Sequence, residues 1–366
     1  MPKKIEVLEK TETVNPLLSP NAEFDYIDVS SVSNTTFQIE ETQRLKGKDA
    51  PSRARKLVRT NDIIFATIRP TLQRIAVVPE HFDKQVCSTG YFVLRPKPGM
   101  DHRFVYYSLF TEDFTGQMES LQKGASYPAV TDGDVRAQEI PVPPLAEQQR
   151  IVVLLDEAFE GLATAKANAE KNLQNARALF ESHLQSVFTQ RGPGWVTKTF
   201  GEVLEIRNGR NQLEVESPDG EFPIYGSAGK VMGMATDYIC EAGTTIIGRK
   251  GNINSPIYAD TRFWNVDTAF GLASKAGMDS RFLYFFCLSY DFSAHNRGTT
   301  IPSLVKSELL NIPIPVPPPA EQQRIVGLLD SLQEETQRLA RFYERKHAAL
   351  EALKKSLLHQ AFTGAL

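Results

Sequence analysis

The sequence predicts an α+β protein built twice over, with two mixed β domains that contain short helices, each followed by one long helix. Three observations carry this. A 17-residue segment occurs twice. Each copy leads into a long stretch nearly free of Gly and Pro. The remaining parts hold short β-type runs punctuated by turn residues.

The repeat comes first. Residues 140–156 read IPVPPLAEQQRIVVLLD and residues 314–330 read IPVPPPAEQQRIVGLLD, so 15 of 17 positions match at an offset of 174. The same offset maps Gly124 and Pro128 onto Gly298 and Pro302, and Leu179, Ser182, Leu184 and Phe188 onto Leu353, Ser356, Leu358 and Phe362. Further upstream GMDHRF (Gly99 to Phe104) echoes GMDSRF (Gly277 to Phe282), now at an offset of 178. A period this long marks a duplicated domain, not a solenoid.

The long helices follow. Pro143 and Pro144, and Pro317 to Pro319, force extended backbone. A helix then starts near Ala146 and Glu147 and runs to about Thr189, before the breaker Gly192-Pro193-Gly194. Glu147 and Glu321 sit in first turns, where the helix dipole favours a carboxylate. About 43 residues at 1.5 Å each span about 65 Å. Apolar residues step by three and four: Ile151, Leu155, Leu162, then Leu173, Ala176, Phe180, Leu184 and Val187. The second helix gives Ile325, Leu329, Leu332, then Leu339, Tyr343, Leu350, Leu353 and Leu357. So narrow a stripe needs a partner helix, and the nearest candidate is the other copy.

The parts before the helices hold β-type runs at Asp62 to Ile68, Arg74 to Pro79, Gly90 to Leu94, Thr244 to Gly248 and Ser255 to Ala259. Helical pieces are expected near Arg103 to Leu109 and Arg281 to Leu288. The expected division is 1–142 for the first domain, 143–190 for the first long helix, 191–316 for the second domain and 317–366 for the second helix.

Composition narrows the function. Hydrophobic residues are 41% and charged residues 23%, with 41 Lys+Arg against 44 Asp+Glu, which suits a folded protein and excludes a polybasic tail. Cys87, Cys240 and Cys287 are widely spaced with no CxxC, which argues against a disulfide framework or zinc ribbon and suits a reducing cytoplasm. The start MPKKIEVLEK has no apolar signal region, and no apolar run reaches membrane-spanning length. No catalytic motif survives inspection. YGSAGKV (Tyr225 to Val231) tempts as a phosphate loop, but Ile224 stands in place of the first Gly and Val231 in place of Ser/Thr. The Asp/Asn-Pro-Pro-aromatic methyltransferase tetrapeptide is absent, and the six histidines show no metal-ligand spacing.

Local charge says more. Arg44, Lys46, Lys48, Arg53, Arg55, Lys56 and Arg59 face only Asp49 within their run. Such a patch suits phosphate contacts, although a solvated loop would look the same. Arg69 follows one strand, and Arg249, Lys250 and Asn252 follow another. Arg reads guanine and Asn reads adenine bidentately, so these are base-reading residue types at strand ends. Arg207, Asn208, Arg210 and Asn211 have the same chemistry, though their Asn-Gly pair is also a hairpin signal. Ser126 and Tyr127 precede Pro128, and Asn296 and Arg297 precede Pro302, in equivalent loops. Two readers of different sequences would differ in this way, and so would drifting surface loops.

With these residues in hand, the chain resembles the specificity subunits of Type I restriction–modification systems over essentially its whole length. The carrying motif is Pro-x-Pro-Pro-x-x-Glu-Gln-x-x-Ile followed by a long helix, at Pro141 to Ile151 and again at Pro315 to Ile325. DIIFATIRP, RKGN and NVDTAF (Asn265 to Phe270) are similar to target-recognition domain sequences, and GWVTKTFGEVLEIRNG (Gly194 to Gly209) to a usual domain opening. The start MPKKIEVLEKTETVNP departs from that opening. The resemblance implies two target-recognition domains, each reading one half of a bipartite, asymmetric DNA target. It implies that the two helices pack antiparallel and set the spacer. Two modification methyltransferase subunits and the restriction subunits are the implied partners, and S-adenosylmethionine, ATP and magnesium belong to them. The chain itself is then non-catalytic and binds no cofactor. Glu147, Gln148, Ile151, Leu155 and Leu162, with Glu321, Gln322, Ile325, Leu329 and Leu332, are the expected helix seam and docking residues. The rival readings are a stand-alone DNA-binding regulator of the same fold, an enzyme in its own right, and a structural coiled-coil adaptor. Co-purification with a methyltransferase separates the first, and methylation by the isolated chain would revive the second. Two sizeable diverged domains are hard to explain by the third.

Overall fold

The computed structural model describes residues 2–4, 12–227 and 229–366, and the chain divides into two compact units. One comprises residues up to Ala169 together with Arg345–Leu366, the other Glu170–Glu344. Each unit therefore holds one mixed β domain, part of its own long helix and part of the other.

The first unit contains β1 (Pro2–Lys4), β2 (Glu23–Ile27), β3 (Gln43–Lys46), β4 (Ala54–Leu57), β5 (Ile63–Ala66), β6 (Ile75–Val77), β7 (Val86–Ser88) and β8 (Tyr91–Leu94). Three helices follow, α1 (His102–Ser108), α2 (Glu112–Leu121) and α3 (Asp132–Arg136), then β9 (Glu139–Pro141) and the long α4 (Leu145–Thr189). The strands form sheets of order β3-β2-β7-β4, β6-β5-β8 and β1-β9. β5 and β8 read IIFA and YFVL and are buried along their whole length, which is why they lack the alternation of a half-exposed strand.

The second unit repeats the plan. It contains β10 (Val196–Thr199), α5 (Phe200–Val203), β11 (Leu204–Asn208), β12 (Phe222–Tyr225), β13 (Val231–Ala235), β14 (Thr244–Gly248), β15 (Ile257–Ala259), β16 (Trp264–Asn265) and β17 (Ala269–Ser274). Helices α6 (Ser280–Ser289) and α7 (Lys306–Leu309), β18 (Pro313–Val316) and the long α8 (Pro319–Thr363) complete it. The sheet β11-β17-β14-β15 matches β6-β5-β8 with β11 added at its edge. The sheet β13-β12-β16 matches β3-β2-β7, including the parallel pair in each. The first domain lacks the Trp-led opening, yet Lys3 pairs with Ile140 as Lys198 pairs with Ile314. Residues 5–11 of that opening lie outside the described residues.

The long helices begin where the prolines release the backbone. Glu147 and Gln148 donate their N–H groups to Pro144 O, and Glu321 and Gln322 to Pro318 O. Pro319 is not extended as expected. It is the first residue of α8, a position where the missing N–H costs nothing and φ is already helical. In the first unit the start of α4 meets the end of α8: Ile151, Val152 and Leu155 pack with Leu358 and Ala361, and Lys166 pairs with Glu351. In the second unit the end of α4 meets the start of α8, with Leu184 and Phe188 in one cluster with Ile325 and Leu329. Both pairings run antiparallel. The seam departs from expectation at Leu353, which is 48% exposed, while Lys354 next to it turns inward over Phe37, Phe110 and Phe159. The side chain is half-buried, and desolvation holds its ammonium pKa below the usual lysine value.

Candidate nucleic-acid interface

Each domain has a cluster of loops held together by main-chain hydrogen bonds, and three of these bonds match between the two clusters. In the first, Thr67 N donates to Gly90 O (2.9 Å), Val130 N to Thr67 O (2.9 Å) and Arg69 N to Pro128 O (2.7 Å). In the second, Arg249 N donates to Thr268 O (2.8 Å), Leu304 N to Arg249 O (2.8 Å) and Gly251 N to Pro302 O (2.9 Å). The loop after β5 is thus the loop after β14, and 123–129 is the counterpart of 297–303. Position for position, however, Thr67 matches Arg249 and Arg69 matches Gly251. The two arginines stand on different rungs of one scaffold.

Arg69 has φ +50° and ψ +59°, a left-handed conformation that glycine adopts freely and other residues adopt at a cost. Gly251 takes φ +85° at the same point. Arg69 is exposed, and its guanidinium carbon lies 5.6 Å from the centroid of the Tyr127 ring, itself 75% exposed. Ser126 is exposed beside it. Arg69, Ser126 and Tyr127 therefore form one group of solvent-facing donors against an aromatic face. Gly124 and Gly298 shape the partner loops: a Cβ would meet Tyr127 O in one and Ile301 O in the other.

The second cluster gathers Arg249, Lys250, Asn252, Asn296 and Arg297 around the bridge Lys250–Ser303. Arg249 lies over Phe270, 5.8 Å from its centroid, and donates to Asp267 O. Lys250 and Asn252 are exposed. Asn296 is spent locally, since its Oδ1 accepts from Gly298 N and Ser303 N. Arg297 is engaged by Glu308, donating from Nε to both carboxylate oxygens, and this contact holds the Glu308 carboxyl below its usual range. These two residues shape the loop, whereas Lys250 and Asn252 are exposed, Asn252 Oδ1 accepting from Ser255 Oγ (3.0 Å), and Arg249 is half-buried against Phe270.

Arg207 to Asn211 is not a hairpin turn. β11 pairs with β17, Gly209 N donates to Ala269 O and Arg210 N to Asn265 O, so the segment lies along NVDTAF beside the same cluster. Gly209 is required because a Cβ would meet Val266 O at 1.8 Å. Asn208, Arg210 and Asn211 are exposed, although Asn211 Oδ1 accepts from Leu213 N. Arg207 turns inward and donates to Ile239 O, which removes it from the outward set.

The basic run does not form one patch. Lys46 pairs with Glu23 at one end of its sheet, whereas Arg53 precedes Ala54, which pairs with Ser88 at the other end. The two ends lie roughly 15 Å apart at about 3.3 Å per residue. Lys46, Lys48 and Arg53 are exposed. Arg55 is half-buried and bonds Ala54 O. Lys56 is corrected from a surface contact to an internal tether: it is 12% exposed and donates to Tyr91 O (2.6 Å) and Asp132 (2.7 Å). Arg44 is held by Asp25, and Arg59 by Glu12.

The expected docking residues also divide. Ile151, Leu155, Ile325 and Leu329 are buried seam residues, and Leu162 and Leu332 are half-buried. Glu147 and Glu321 pair with Arg150 and Arg324 one turn on, at the surface. Gln148 and Gln322 are corrected. They are 0% and 1% exposed, so no partner reaches them. Each instead ties its helix to its own domain. Asp101 N donates to Gln148 Oε1 (2.9 Å), and Gln148 Nε2 donates to Pro143 O (2.8 Å) and Gly99 O (3.3 Å). Gln322 repeats this with Asp279 N (2.7 Å), Pro317 O (3.0 Å) and Gly277 O (3.1 Å). The GMD motif is the other half of the device. Gly99 and Gly277 have φ +93° and +88°, and Asp101 and Asp279 cap α1 and α6 by accepting from the amides two and three residues on. Two turns down each long helix, Asp156 accepts from Arg103 (2.6 Å) and Tyr107, and Asp330 accepts from Arg281 Nε (3.0 Å). The echo GMDHRF/GMDSRF and the repeated LLD signal these residues in the sequence, but nothing there pairs one with the other.

Among the described residues, no cluster of His, Cys, Asp or Glu could hold a metal ion, and no helix is long and apolar enough to cross a membrane. The family model described as "Type I restriction modification DNA specificity domain" matches residues 6–173 and 193–342. The chain belongs to this family. The match falls once on each half, as the duplication requires. A chain of a solved structure, from work on complex assembly and conformational transition of the type I restriction–modification system, is 29% identical with a TM-score of 0.91, covering 100% of this chain and 98% of that one. The HsdS subunit from Thermoanaerobacter tengcongensis is also 29% identical, with a TM-score of 0.68 over 100% of this chain and 97% of that one. The Type I restriction enzyme EcoDI specificity subunit of Escherichia coli is 27% identical over 165 residues, 45% of this chain and 35% of that protein. The first curated relatives are thus matched over about a third of their length. Two specificity domains, each followed by a long helix, in an internal repeat, are the fold of this chain.

Proposed function

We propose that this chain is the DNA-reading subunit of a Type I restriction–modification complex, with each domain reading one half of a bipartite, asymmetric target. The observation that carries this is the duplicated loop scaffold: three matching main-chain bonds hold different side chains, exposed Arg69 and Tyr127 in one domain, half-buried Arg249 with exposed Lys250 and Asn252 in the other. Arginine at a strand-end loop offers the paired donors that match guanine O6 and N7, and asparagine matches adenine. Lys46, Lys48 and Arg53 supply phosphate contacts at the edges of the first domain. The antiparallel helices set the gap between half-sites. Two methyltransferase subunits dock on the complex and modify adenine, and restriction subunits join them. S-adenosylmethionine, ATP and magnesium act in those partners, and this chain performs no catalytic step. The complex works in the cytoplasm, where the DNA is.

Long-read methylation sequencing of the source cell, with the gene intact and deleted, tests this. Loss of one split N6-methyladenine motif on deletion is the expected result. If no methylated motif depends on the gene, the reading fails and a stand-alone DNA-binding regulator replaces it.

A further inference from the structure

We propose that Gln148 and Gln322 are positioning residues that fix the angle at which each domain leaves its long helix, and thereby the gap length the complex accepts between half-sites. This rests on the reading above and deepens it. A buried side-chain amide here joins three peptide groups from two elements. In the first unit it accepts from Asp101 N and donates to the carbonyls of Gly99, in the domain, and Pro143, at the start of the helix. The second unit builds the same three bonds around Gln322. Only glutamine fits: glutamate of the same length has no donor for the two carbonyls, and leucine has neither donor nor acceptor.

One such joint would leave the domain free to swing about it. A second tie, Arg103 to Asp156 and Arg281 to Asp330, lies eight residues down each helix, about 12 Å at 1.5 Å per residue. Two fixed points on one helix define an orientation. The ion pairs are part-exposed and screened, with Arg103 43% and Asp156 36% exposed, so the buried amide is the stiffer of the two. None of these residues lies in the loop clusters that carry Arg69 or Arg249. Loosening them should change where a domain is held, not which bases it reads.

The test uses the chain assembled with its methyltransferase subunits. Duplexes carry both half-sites with the native gap, one base pair fewer, or one more, and a second set carries single base changes in each half-site. Wild type should prefer the native gap. Gln322→Leu should reduce that preference by roughly tenfold, the scale set by losing one or two net hydrogen bonds, while the base-substitution profile stays unchanged. Should Gln322→Leu fail to assemble, Gln322→Glu keeps the acceptor for Asp279 N but turns the donors into a buried carboxylate oxygen facing two carbonyls, and a shift at least as large is expected from it. Gln148→Leu should act equally. A variant that melts lower but keeps the wild-type gap preference would make the amide merely stabilising and overturn the proposal, as would a relaxed base profile. A wild-type complex with no gap preference would instead overturn the role given to the helices. The two failures are therefore told apart.

Discussion

Replacing Arg69 by glycine should leave stability nearly untouched and damage reading. Arg69 sits left-handed at φ +50°, and the second domain places Gly251 at the same point. A non-glycine residue in that conformation costs about 1–2 kcal/mol, which the change releases. Against this, glycine loses about 0.5–1 kcal/mol more backbone entropy on folding. The exposed contact with Tyr127, about 0.5–1 kcal/mol for such a pair, is also lost. These terms nearly cancel, so the melting temperature should move by no more than about 2–4 °C. If Arg69 reads a base, its loss costs about 1–3 kcal/mol, or roughly 5- to 150-fold in affinity. The assay is binding and methylation by the assembled complex on duplexes varied one position at a time in both half-sites. One position in the half-site of the first domain should relax, and the other half-site should not. A melting temperature lowered well beyond that range would make Arg69 structural and refute the reasoning. So would unchanged affinity, and a loss equal at all sequences would make it a phosphate contact.

Arg249→Ala should relax one position in the other half-site at a cost of about 1–3 kcal/mol, measured on the same duplexes. Lys56→Met should destabilise by about 1–3 kcal/mol, because Tyr91 O loses its buried donor, and should leave the salt dependence of DNA binding unchanged. Arg53→Ala should do the reverse, lowering the salt slope by about one unit with no change in melting. The thiols of Cys87 and Cys240 are pushed up to about 12 by burial, and that of Cys287 is raised by the same cause. A folded pKa above the unfolded one gives stability that is full below about pH 8.5 and fades as pH rises towards 12. Urea midpoints should therefore fall between pH 8 and 10, and Ellman's reagent at pH 8 should label no cysteine until the chain unfolds. Immediate labelling of the native protein would contradict this.

The long helices were legible because their signal is local: a proline run, an acidic first turn and a three-four apolar step suffice without knowledge of the partner. The duplication was legible from identity alone. What escaped the sequence were pairings. Gln148 lies in a helix start that looked built for docking, and only the fold brings Gly99 and Asp101 against it to bury it. Lys56 belonged to a basic run by type, but its strand turns it towards Tyr91 and Asp132. Leu353 and Lys354 are neighbours, and the aromatic trio of Phe37, Phe110 and Phe159 gives the inward place to the lysine, whose stem satisfies apolar walls while its charge meets ring faces. Arg69 and Arg249 read as equivalents because each follows a strand. Which rung each occupies depends on carbonyls from another loop.

That difference of rung has a consequence for the target. Matching main-chain bonds anchor both loops at the two rungs, and the side-chain bonds of Asn252, Asn296 and Arg297 lie off those rungs. A guanidinium can then stand at the Thr67/Arg249 rung or at the Arg69/Gly251 rung without rebuilding the loop. The two rungs are two residues apart, about 6–7 Å of extended backbone. Successive bases on one strand rise about 3.4 Å, so the shift corresponds to roughly two base pairs. The position relaxed by Arg69→Gly and the position relaxed by Arg249→Ala should therefore lie at different distances from the inner edges of their half-sites, by one or two base pairs. Equal distances would mean that side-chain reach, not the rung, decides which base each arginine meets.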